Sequence, residues 1–343
     1  MVFAGCDLHK QTISVCVVNQ SRSVLHRERF ACQDVERIRE FFRQLGEFEA
    51  VVEATASYEW FVQLLEPLAR RVLLAHPKKL RVIAESTRKS DRLDAQILAE
   101  FLALDMIPTS YRPTPRQRAH RRLVRQRDRI QRRLTSIKNR IRRLLSDHNA
   151  DRLRLFNRPG LEFLKTLPLP PADRFTMDQF LEEYDFGQQQ LRKAELALQT
   201  FAKQGTNREQ EWRVLLRSIP GVGFVTAEVI LAELADVERF QSQKQIVAYA
   251  GLAPGQRESA GKRQELHIEK EGSRLLRGIL VEAAWRLVRH SVRWRGIYEK
   301  LKARVRAKKA IVAVARRLLT LTASILVSGQ PYRADYIPGG SAA

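Results

Sequence analysis

The sequence predicts an α/β domain followed by a mainly helical region, and three observations support this. The first hundred residues alternate short β-branched runs with amphipathic helical segments. Residues 116–143 form one long basic segment with helical periodicity, and from residue 211 short helical segments are joined by glycine-containing turns. Because 343 residues exceed what one core usually serves, we expect three domains, at residues 1–112, 113–208 and 209–343.

The order of elements in the first domain is specific. Three apolar runs separated by polar turns predict an antiparallel meander, and helices then alternate with two short strands. The predicted elements are strands Val2–Cys6, Thr12–Asn19 and Val24–Ala31, helix Asp34–Leu45, strand Ala50–Ala54, helix Trp60–Arg71, strand Val72–Ala75 and helix Ser90–Leu104. This order is the topology of the ribonuclease H-like fold, in which parallel crossovers extend three antiparallel strands.

The middle of the chain predicts an antiparallel helical arm. Residues 116–143 hold thirteen Lys or Arg residues and one acid, and their apolar residues recur at coiled-coil spacing. The proline-rich segment 167–171 breaks the helical pattern, which resumes over residues 177–203. A second basic helix is expected at residues 293–309 and an apolar helix after it.

The charge of the chain indicates a polyanionic partner. It has 61 Lys and Arg against 38 Asp and Glu, a formal net charge of +23, so nucleic acid is the expected partner. A hydrophobic content of 44% excludes a disordered tail. The three cysteines lack CxxC spacing, which fits a reducing cytoplasm. The amino-terminal residues do not predict a signal peptide. The most apolar segment carries Arg316 and Arg317, so it is a poor candidate for a membrane span.

Four carboxylates are the candidate catalytic residues. Asp7 and Glu53 follow or end predicted strands, and Asp91 and Asp94 begin a helix, three residues apart on one face. Such a cluster needs a cation, and hard oxygen ligands select Mg²⁺ or Mn²⁺, which would assist phosphodiester cleavage. Each acid alone also fits a capping or turn residue. The functional interpretation is favoured because Glu53 lies within an apolar strand, where an unpaired carboxylate is costly.

Further motifs suggest DNA contacts. Gly221 and Gly223 lie between two amphipathic helices, which predicts either a helix-hairpin-helix clamp on the DNA backbone or a plain helical turn. The basic segments supply candidate nucleic-acid contacts, or alternatively solvated faces. These candidates are Arg122, Arg125, Arg129, Arg133, Arg140, Arg293, Lys302 and Arg306. Composition alone marks Ser259 only as a polar loop residue, and His9 as either a support for Asp7 or a surface residue.

Five motifs in order resemble the DEDD transposases of the IS110 insertion-sequence family over nearly the whole chain. They are Gly-Cys-Asp-Leu-His-Lys at 5–10, Val-Glu-Ala-Thr at 52–55, Lys-Ser-Asp-Arg-Leu-Asp-Ala at 89–95, Ile-Pro-Gly-Val-Gly at 219–223 and Ala-Gly-Leu-Ala-Pro at 250–254. The resemblance implies a RuvC-like nuclease domain with Asp7, Glu53, Asp91 and Asp94 as its acids. It also implies a coiled-coil arm, a carboxy-terminal transposase domain and a serine nucleophile. By position the nucleophile is Ser259, with Ser273 as the alternative.

The expected function is therefore an RNA-guided DNA recombinase. The resemblance implies a bridge RNA that pairs with donor and target DNA, a phosphoserine link between Ser259 and DNA, and a homo-oligomer, dimer or tetramer, whose subunits assemble a composite site. The apolar seam of the long helix is a candidate dimer contact. Such a protein would act in the cytoplasm of a bacterium or archaeon, at the nucleoid. The alternatives are a RuvC-like junction resolvase or structure-specific endonuclease that uses water, and a non-enzymatic nucleic-acid-binding protein.

Overall fold

The computed structural model describes residues 1–54, 58–83, 91–234, 236–259 and 262–334. For residues 81–83, 91–93, 256–259 and 262–266 it describes only the backbone. The chain divides into two compact units, Met1–Arg112 and Pro113–Ala343, which are described separately below.

The first unit is built on a five-stranded mixed sheet. Its strands are β1 (Val2–Leu8), β2 (Thr12–Val18), β3 (Val24–Ala31), β4 (Phe48–Glu53) and β5 (Arg71–Ala75), in the order β3-β2-β1-β4-β5. The first three strands are antiparallel neighbours, and β4 and β5 extend the sheet in parallel with β1. The expected α/β class is confirmed, and the sheet is compatible with a RuvC-like domain.

Helices cover both faces of this sheet. They are α1 (Val35–Gln44), α2 (Glu59–Leu65), α3 (Pro77–Ile83) and α4 (Asp91–Ala103). Phe42 of α1 and Phe61 of α2 are fully buried on one face together with alternate residues of the strands. Leu98 and Leu102 of α4 pack on the other face. Helix α3 was not predicted, and the predicted helix start at Ser90 lies outside the described residues.

The second unit begins with two long helices. Helices α5 (Pro115–Asp147) and α7 (Pro171–Lys203), each of 33 residues, are joined through the short helix α6 (Arg158–Thr166). They lie antiparallel, because Arg127 pairs with Glu195 at 2.8 Å near one end and His148 with Asp173 at 2.9 Å near the other. At ~1.5 Å per residue this helical pair is ~50 Å long.

The apolar seam of α5 packs within its own chain. Leu134, Ile137 and Ile141 are buried against α7, and a Cβ on Gly187 would lie 2.7 Å from Leu134 Cδ2, so the two helices meet closely there. The intrachain packing leaves these three residues without the exposed surface that a partner would need. The expected dimer contact on this seam is therefore wrong.

The remainder of the second unit is mainly helical. It comprises α8 (Asn207–Arg217), α9 (Phe224–Leu234), a 3-10 turn (Val237–Arg239), α10 (Gln243–Tyr249), β6 (Pro254–Ser259), β7 (Lys262–Ile268), α11 (Arg274–His290), α12 (Val292–Lys302) and α13 (Ala307–Ser328). Two expectations are corrected here. The segment after residue 253 is an antiparallel β-hairpin and not a polar loop. The basic helix expected at 293–309 ends at Lys302, because the next helix begins afresh at Ala307 to pack its apolar face.

Helix α13 is the core helix of this unit. Leu318 and Leu319 are fully buried, and α13 packs with α11 and α12. Among the described residues it is the one helix long and apolar enough to cross a membrane, and most of its apolar stretch is buried inside the unit. Its hydrophobicity is thus explained by packing.

A buried ionic group holds α5, α8 and α9 together. Glu228 of α9 is fully buried, and Arg213 Nε of α8 donates a hydrogen bond to Glu228 Oε1 at 2.7 Å. His120 Nε2 of α5 lies 2.9 Å from Glu228 Oε2. Burial by itself raises the pKa of Glu228, but the His120 and Arg213 side chains outweigh it, so the net pKa is lowered from its ordinary 4.5. The carboxylate is therefore charged in the folded protein at neutral pH.

Replacing Gly5 by alanine is expected to destabilise the first unit. A Cβ at Gly5 would lie 2.1 Å from the carbonyl oxygen of Ala95 and 2.4 Å from the amide nitrogen of Ala99, so α4 would have to move. We expect the free energy of unfolding to fall by about 1–3 kcal/mol, as for overpacked cores. Gly296→Ala in α12 is the control, because open space surrounds Gly296, and it should unfold at the same or higher urea concentration. Equal loss in both variants in urea titrations would contradict this packing.

The lowered pKa of Glu228 predicts an acid-sensitive second unit. A depressed folded pKa contributes stability above the unfolded value near 4.5, and that contribution is lost as the pH falls from there through the folded pKa. Glu228→Gln should lower the free energy of unfolding at pH 7 by about 3–5 kcal/mol, because it breaks a buried pair. It should also flatten the pH dependence below 4.5.

The matched control for Glu228 is Glu238→Gln, since Glu238 pairs with Arg208 on the surface. This variant should change the free energy of unfolding by less than about 1 kcal/mol. Thermal unfolding from pH 3 to 8 measures both variants. An unchanged acid limb in Glu228→Gln would show that the group does not act as described.

Candidate functional site

Two of the predicted acids lie at the carboxyl ends of neighbouring parallel strands. Asp7 is the next-to-last residue of β1, and Glu53 is the last residue of β4. The parallel register pairs Cys6 with Val52, so Asp7 and Glu53 are the next residues along the two strands. Adjacent strands are ~4.8 Å apart, which places these two residues side by side at this edge of the sheet.

Asp7 and Glu53 also share one face of the sheet. Side chains alternate along a strand, and the cores on the two faces divide the residues accordingly. Cys6 and Val52 belong to the core under α1 and α2, whereas Val51 belongs to the core under α4. Asp7 and Glu53 therefore lie on the face that carries α4.

Helix α4 runs against the direction of β1, so its first turn lies at the same edge. The carbonyl oxygen of Ala95, in the second turn of α4, lies next to Gly5. The residue Asp105, just past its carboxyl end, accepts a hydrogen bond of 3.2 Å from Arg71 at the opposite edge. From Gly5 to Asp7 is ~6.6 Å along the strand, and four to five helical residues cover a similar ~6–7 Å. The backbone of the segment from Asp91 to Asp94 is thus level with Asp7.

Asp7 is almost fully buried, at 4% exposure. His9 Nε2 lies 3.1 Å from Asp7 Oδ2, and the His9 side chain is 46% exposed. Burial, and secondarily the Asp7 carboxylate, raise the pKa of the neighbouring Cys6 thiol. Cys6 is therefore a neutral core residue here, and His9 contacts the acid from the solvent side.

The donor set at this edge fits a hard divalent cation in kind. Carboxylate oxygens are the ligands that Mg²⁺ and Mn²⁺ prefer. Within the described part of the chain no three His, Cys, Asp or Glu side chains are close enough to hold a metal ion, and the Asp91 side chain lies outside that part. At the opposite edge Arg71 neutralises Glu49 at 2.7 Å and Asp105 at 3.2 Å, whereas Glu53 and Asp94 have no Lys or Arg partner among the described side chains.

Ser259 is the last residue of β6 and pairs in register with Lys262 of β7. Its side chain and residues 260 and 261 lie outside the described residues. The alternative, Ser273, has a structural function, because its side chain caps α11 and accepts a hydrogen bond of 3.1 Å from the Leu276 amide. The position of Ser273 is therefore accounted for by its role as the N-cap of α11.

The turn between α8 and α9 carries Gly221 and Gly223. Gly221 has φ of +84°, and a Cβ there would lie 2.9 Å from Arg286 Cβ of α11, so the turn is pressed against that helix. Open space surrounds Gly223 at the start of α9. Every described residue from Thr226 to Leu234 is buried, so only the turn could reach a phosphate.

The candidate arginines of α5 differ in their surroundings. Arg122, Arg129, Arg133 and Arg140 are exposed, and at 100° per residue their spacings of 7, 4 and 7 place them on one narrow face, which we call the arginine stripe. Arg125 lies off this stripe and donates hydrogen bonds of 3.0 and 3.2 Å to the buried Glu233. Arg125 therefore serves at least to hold α5 on α9.

The basic residues near α12 are mixed as well. Arg293 donates a hydrogen bond to the carbonyl oxygen of Ala334, and Lys302 lies 3.6 Å from Glu299. Arg306 is exposed in the turn that begins α13. Lys302 to Lys309 form a continuous exposed basic segment across the break between the two helices.

Arg29 of β3 was not among the predicted site residues. The antiparallel registers pair Asp7 with Ser14 and Ser14 with Arg29, so these three residues form one row across the sheet. A single sequence could show this only through correct strand registers, since Arg29 is otherwise an ordinary exposed residue of an edge strand.

Comparisons with known proteins identify two matching family models and several relatives. A family model described as transposase, of the DEDD IS110 type, matches residues 4–150, and the model described as transposase IS116/IS110/IS902 family matches residues 213–299. The transposase for insertion sequence element IS1111A of Coxiella burnetii is 26% identical over 339 residues, which cover 96% of this chain and 90% of that protein.

Two further relatives carry related names. A probable family 20 transposase of Pseudomonas aeruginosa is 25% identical, and the match covers 83% of each chain. The transposase for insertion sequence element IS1328 of Yersinia enterocolitica is also 25% identical, and the match covers 82% of each chain. The two family models, which between them match both units of the chain, and relatives aligned over most of its length lead to one conclusion: the chain belongs to the IS110 family of DEDD transposases.

Proposed function

We propose that this DNA transposase is an RNA-guided recombinase that excises and inserts an insertion sequence through a phosphoserine intermediate. The observation that supports it most is the position of Asp7 and Glu53 on one face and edge of the sheet, level with the first turn of α4. Family membership adds DNA as the substrate and strand transfer as the reaction.

The acids of this edge would hold the metal. Asp7, Glu53, Asp91 and Asp94 supply carboxylates from two strands and one helix turn, and a bound Mg²⁺ or Mn²⁺ would supply Lewis-acid stabilisation of charge on the scissile phosphate. Asp7 comes from a rigid central strand, so its position is fixed by the sheet. The buried surroundings of Asp7 exclude bulk water from its carboxylate.

Ser259 would act as the nucleophile. Its hydroxyl loses its proton as Oγ attacks the scissile phosphorus, the Oγ–P bond forms and the bond between phosphorus and the 3′ oxygen breaks. The 3′ oxygen takes up a proton and leaves as a 3′-hydroxyl. A 3′-hydroxyl of the partner strand then attacks the phosphoserine and restores Ser259. The phosphate bond is conserved, so no external energy source is needed.

The arginine stripe is the surface we assign to the guide RNA. Its four arginines span ~27 Å of α5 at ~1.5 Å per residue, on a face about 90° around the helix from the seam that packs on α7. Within the described part of the chain no carboxylate pairs with Arg122, Arg133 or Arg140, so these charges are available to phosphates. We assign the turn at Gly221 and Gly223 and the basic segment with Lys302 and Arg306 to DNA.

Strand exchange requires two sites, so we propose a homo-oligomer, dimer or tetramer, that acts in the cytoplasm at the nucleoid. Since the seam of α5 is covered by α7, its contacts must use other surfaces. An endonuclease that hydrolyses DNA with water is the second candidate, because the carboxylate edge alone would suffice for it.

A denaturing gel with end-labelled element DNA in magnesium distinguishes the two candidates. We expect the wild-type chain to form a protein–DNA adduct that Ser259→Ala abolishes and that Asp7→Asn reduces by at least about 100-fold, as for loss of a group that stabilises the transition state. Ser273→Ala is the control and should keep the adduct, since it removes only a helix cap worth about 1 kcal/mol. Cleaved product without any adduct would support the endonuclease.

Neutralising the arginine stripe should release the guide RNA. A variant with four Arg→Gln changes at residues 122, 129, 133 and 140 is expected to purify without RNA of one defined sequence. The slope of log affinity against log salt should become shallower by about 3, because each phosphate bound by an arginine contributes ~0.7–0.9 to it. RNA sequencing and salt titration measure the two effects.

The charge-matched control for the stripe changes four arginines that have carboxylate partners. These are Arg39, Arg43, Arg70 and Arg208. This control should keep the RNA and most of the salt slope. Recovery of only random cellular RNA with the wild-type chain would remove the guided part of the proposal.

A further inference from the structure

Arg29 lies in line with the carboxylate edge of the sheet. The registers give the row Arg29, Ser14, Asp7 on β3, β2 and β1, and the row continues to Glu53 on β4. With ~4.8 Å between strands, Arg29 is ~10 Å from Asp7 measured between Cα atoms. A long guanidinium side chain at that distance can reach a phosphate next to one held at the acids.

Arg29 is also on the same face as the acids. Arg27, two residues earlier on β3, donates a hydrogen bond to Gln96 of α4, which fixes the odd-numbered residues of this strand on the α4 face. Phe30 belongs to the core on the other face. Arg29 is exposed, and its Nη2 lies 3.4 Å from Thr12 Oγ1, so the guanidinium reaches from β3 towards β2 beside the row.

A fixed cation beside the acids would favour binding of a DNA strand at this edge. Acids that gather at one edge repel a DNA strand, and a bound divalent ion offsets that repulsion only at the scissile phosphate. Arginine presents a planar fork of N–H donors that matches a phosphate. Arg27 contacts Gln96 of α4, and Arg37 lies on the opposite face near Glu28 and the ring of Phe30.

We propose that Arg29 binds a backbone phosphate of the DNA strand that lies across the carboxylate edge, adjacent to the scissile phosphate. This inference rests on the proposed function of the edge. It makes Arg29 a positioning residue, which holds the strand in the row through Ser14 and Asp7. The competing explanation is that an exposed arginine on an edge strand merely discourages sheet-to-sheet association.

The first experiment measures binding without metal. Full-length wild type, Arg29→Gln, Arg29→Lys and Arg37→Gln are titrated with element-end DNA in EDTA at several KCl concentrations. Arg29→Gln should weaken binding about tenfold or more, as expected when one charge-assisted hydrogen bond is removed. Its salt slope should fall by about 0.7–0.9, the value for one phosphate contact. Arg29→Lys should restore the slope, and Arg37→Gln should match wild type.

The second experiment locates the phosphate. DNA strands that each carry one neutral methylphosphonate near the cleavage position are cleaved in magnesium by wild type and by Arg29→Gln. The methylphosphonate beside the scissile phosphate should slow cleavage by wild type about tenfold. It should cause no further loss in Arg29→Gln, because that variant has already lost the contact between Arg29 and this phosphate. Additive losses at every position would overturn the proposal, as would equal binding by Arg29→Gln and Arg37→Gln.

Asp7→Asn separates this inference from the proposed function. If Asp7→Asn cleaves as well as wild type, the metal edge is wrong, while the EDTA titration still decides whether Arg29 binds phosphate. If Asp7→Asn is inactive and Arg29→Gln behaves as Arg37→Gln in both experiments, the edge stands and the assignment of Arg29 fails.

Discussion

The contact between helix α4 and Gly5 determines the geometry of the first unit. At Gly5 the helix backbone occupies the space of a side chain, with the Ala95 carbonyl oxygen 2.1 Å from where a Cβ would be. No other residue would allow this approach. The contact sets how far α4 extends along β1, and so whether its first turn is level with Asp7. A helix displaced by one turn, ~5.4 Å, would carry Asp94 away from the strand acids.

The second unit depends on a different principle. Its long helices are held by an apolar seam and by charged groups that are paired inside, including Arg213 with the buried Glu228 and Arg125 with the buried Glu233. A chain with a net charge of +23 thus uses part of its positive charge for structure. What remains exposed, the arginine stripe and the segment from Lys302 to Lys309, is ordered on helices and their junction and is suited to phosphate contacts.

Much of the fold could be predicted because its signals are local. Runs in which apolar residues alternate with polar ones, or in which β-branched residues are frequent, indicated the strands. Proline and capping residues such as Thr114 marked the ends of helices. The hairpin of β6 and β7 was missed because its polar alternation lacks the apolar face that marks a strand. The break after Lys302 has no proline or glycine signal and follows from the packing of α13.

The candidate site was predictable only in part. The four acids stand out because Glu53 lies within an apolar strand and because all four fall within the ordered motifs. The row that joins Arg29 to Asp7, and the inward engagement of Arg125, depend on registers and tertiary contacts that no local pattern encodes. Functional cations therefore could not be separated from structural ones before the fold was known.

Manganese binding followed by electron paramagnetic resonance tests the central claim most directly. We predict that the full chain binds Mn²⁺ and that Asp7→Asn and Glu53→Gln each weaken this binding by about tenfold or more, since each removes one charged oxygen ligand. Asp105→Asn, at the opposite edge of the same sheet, should bind Mn²⁺ like wild type. Equal binding by all four proteins would contradict a metal site formed by these acids.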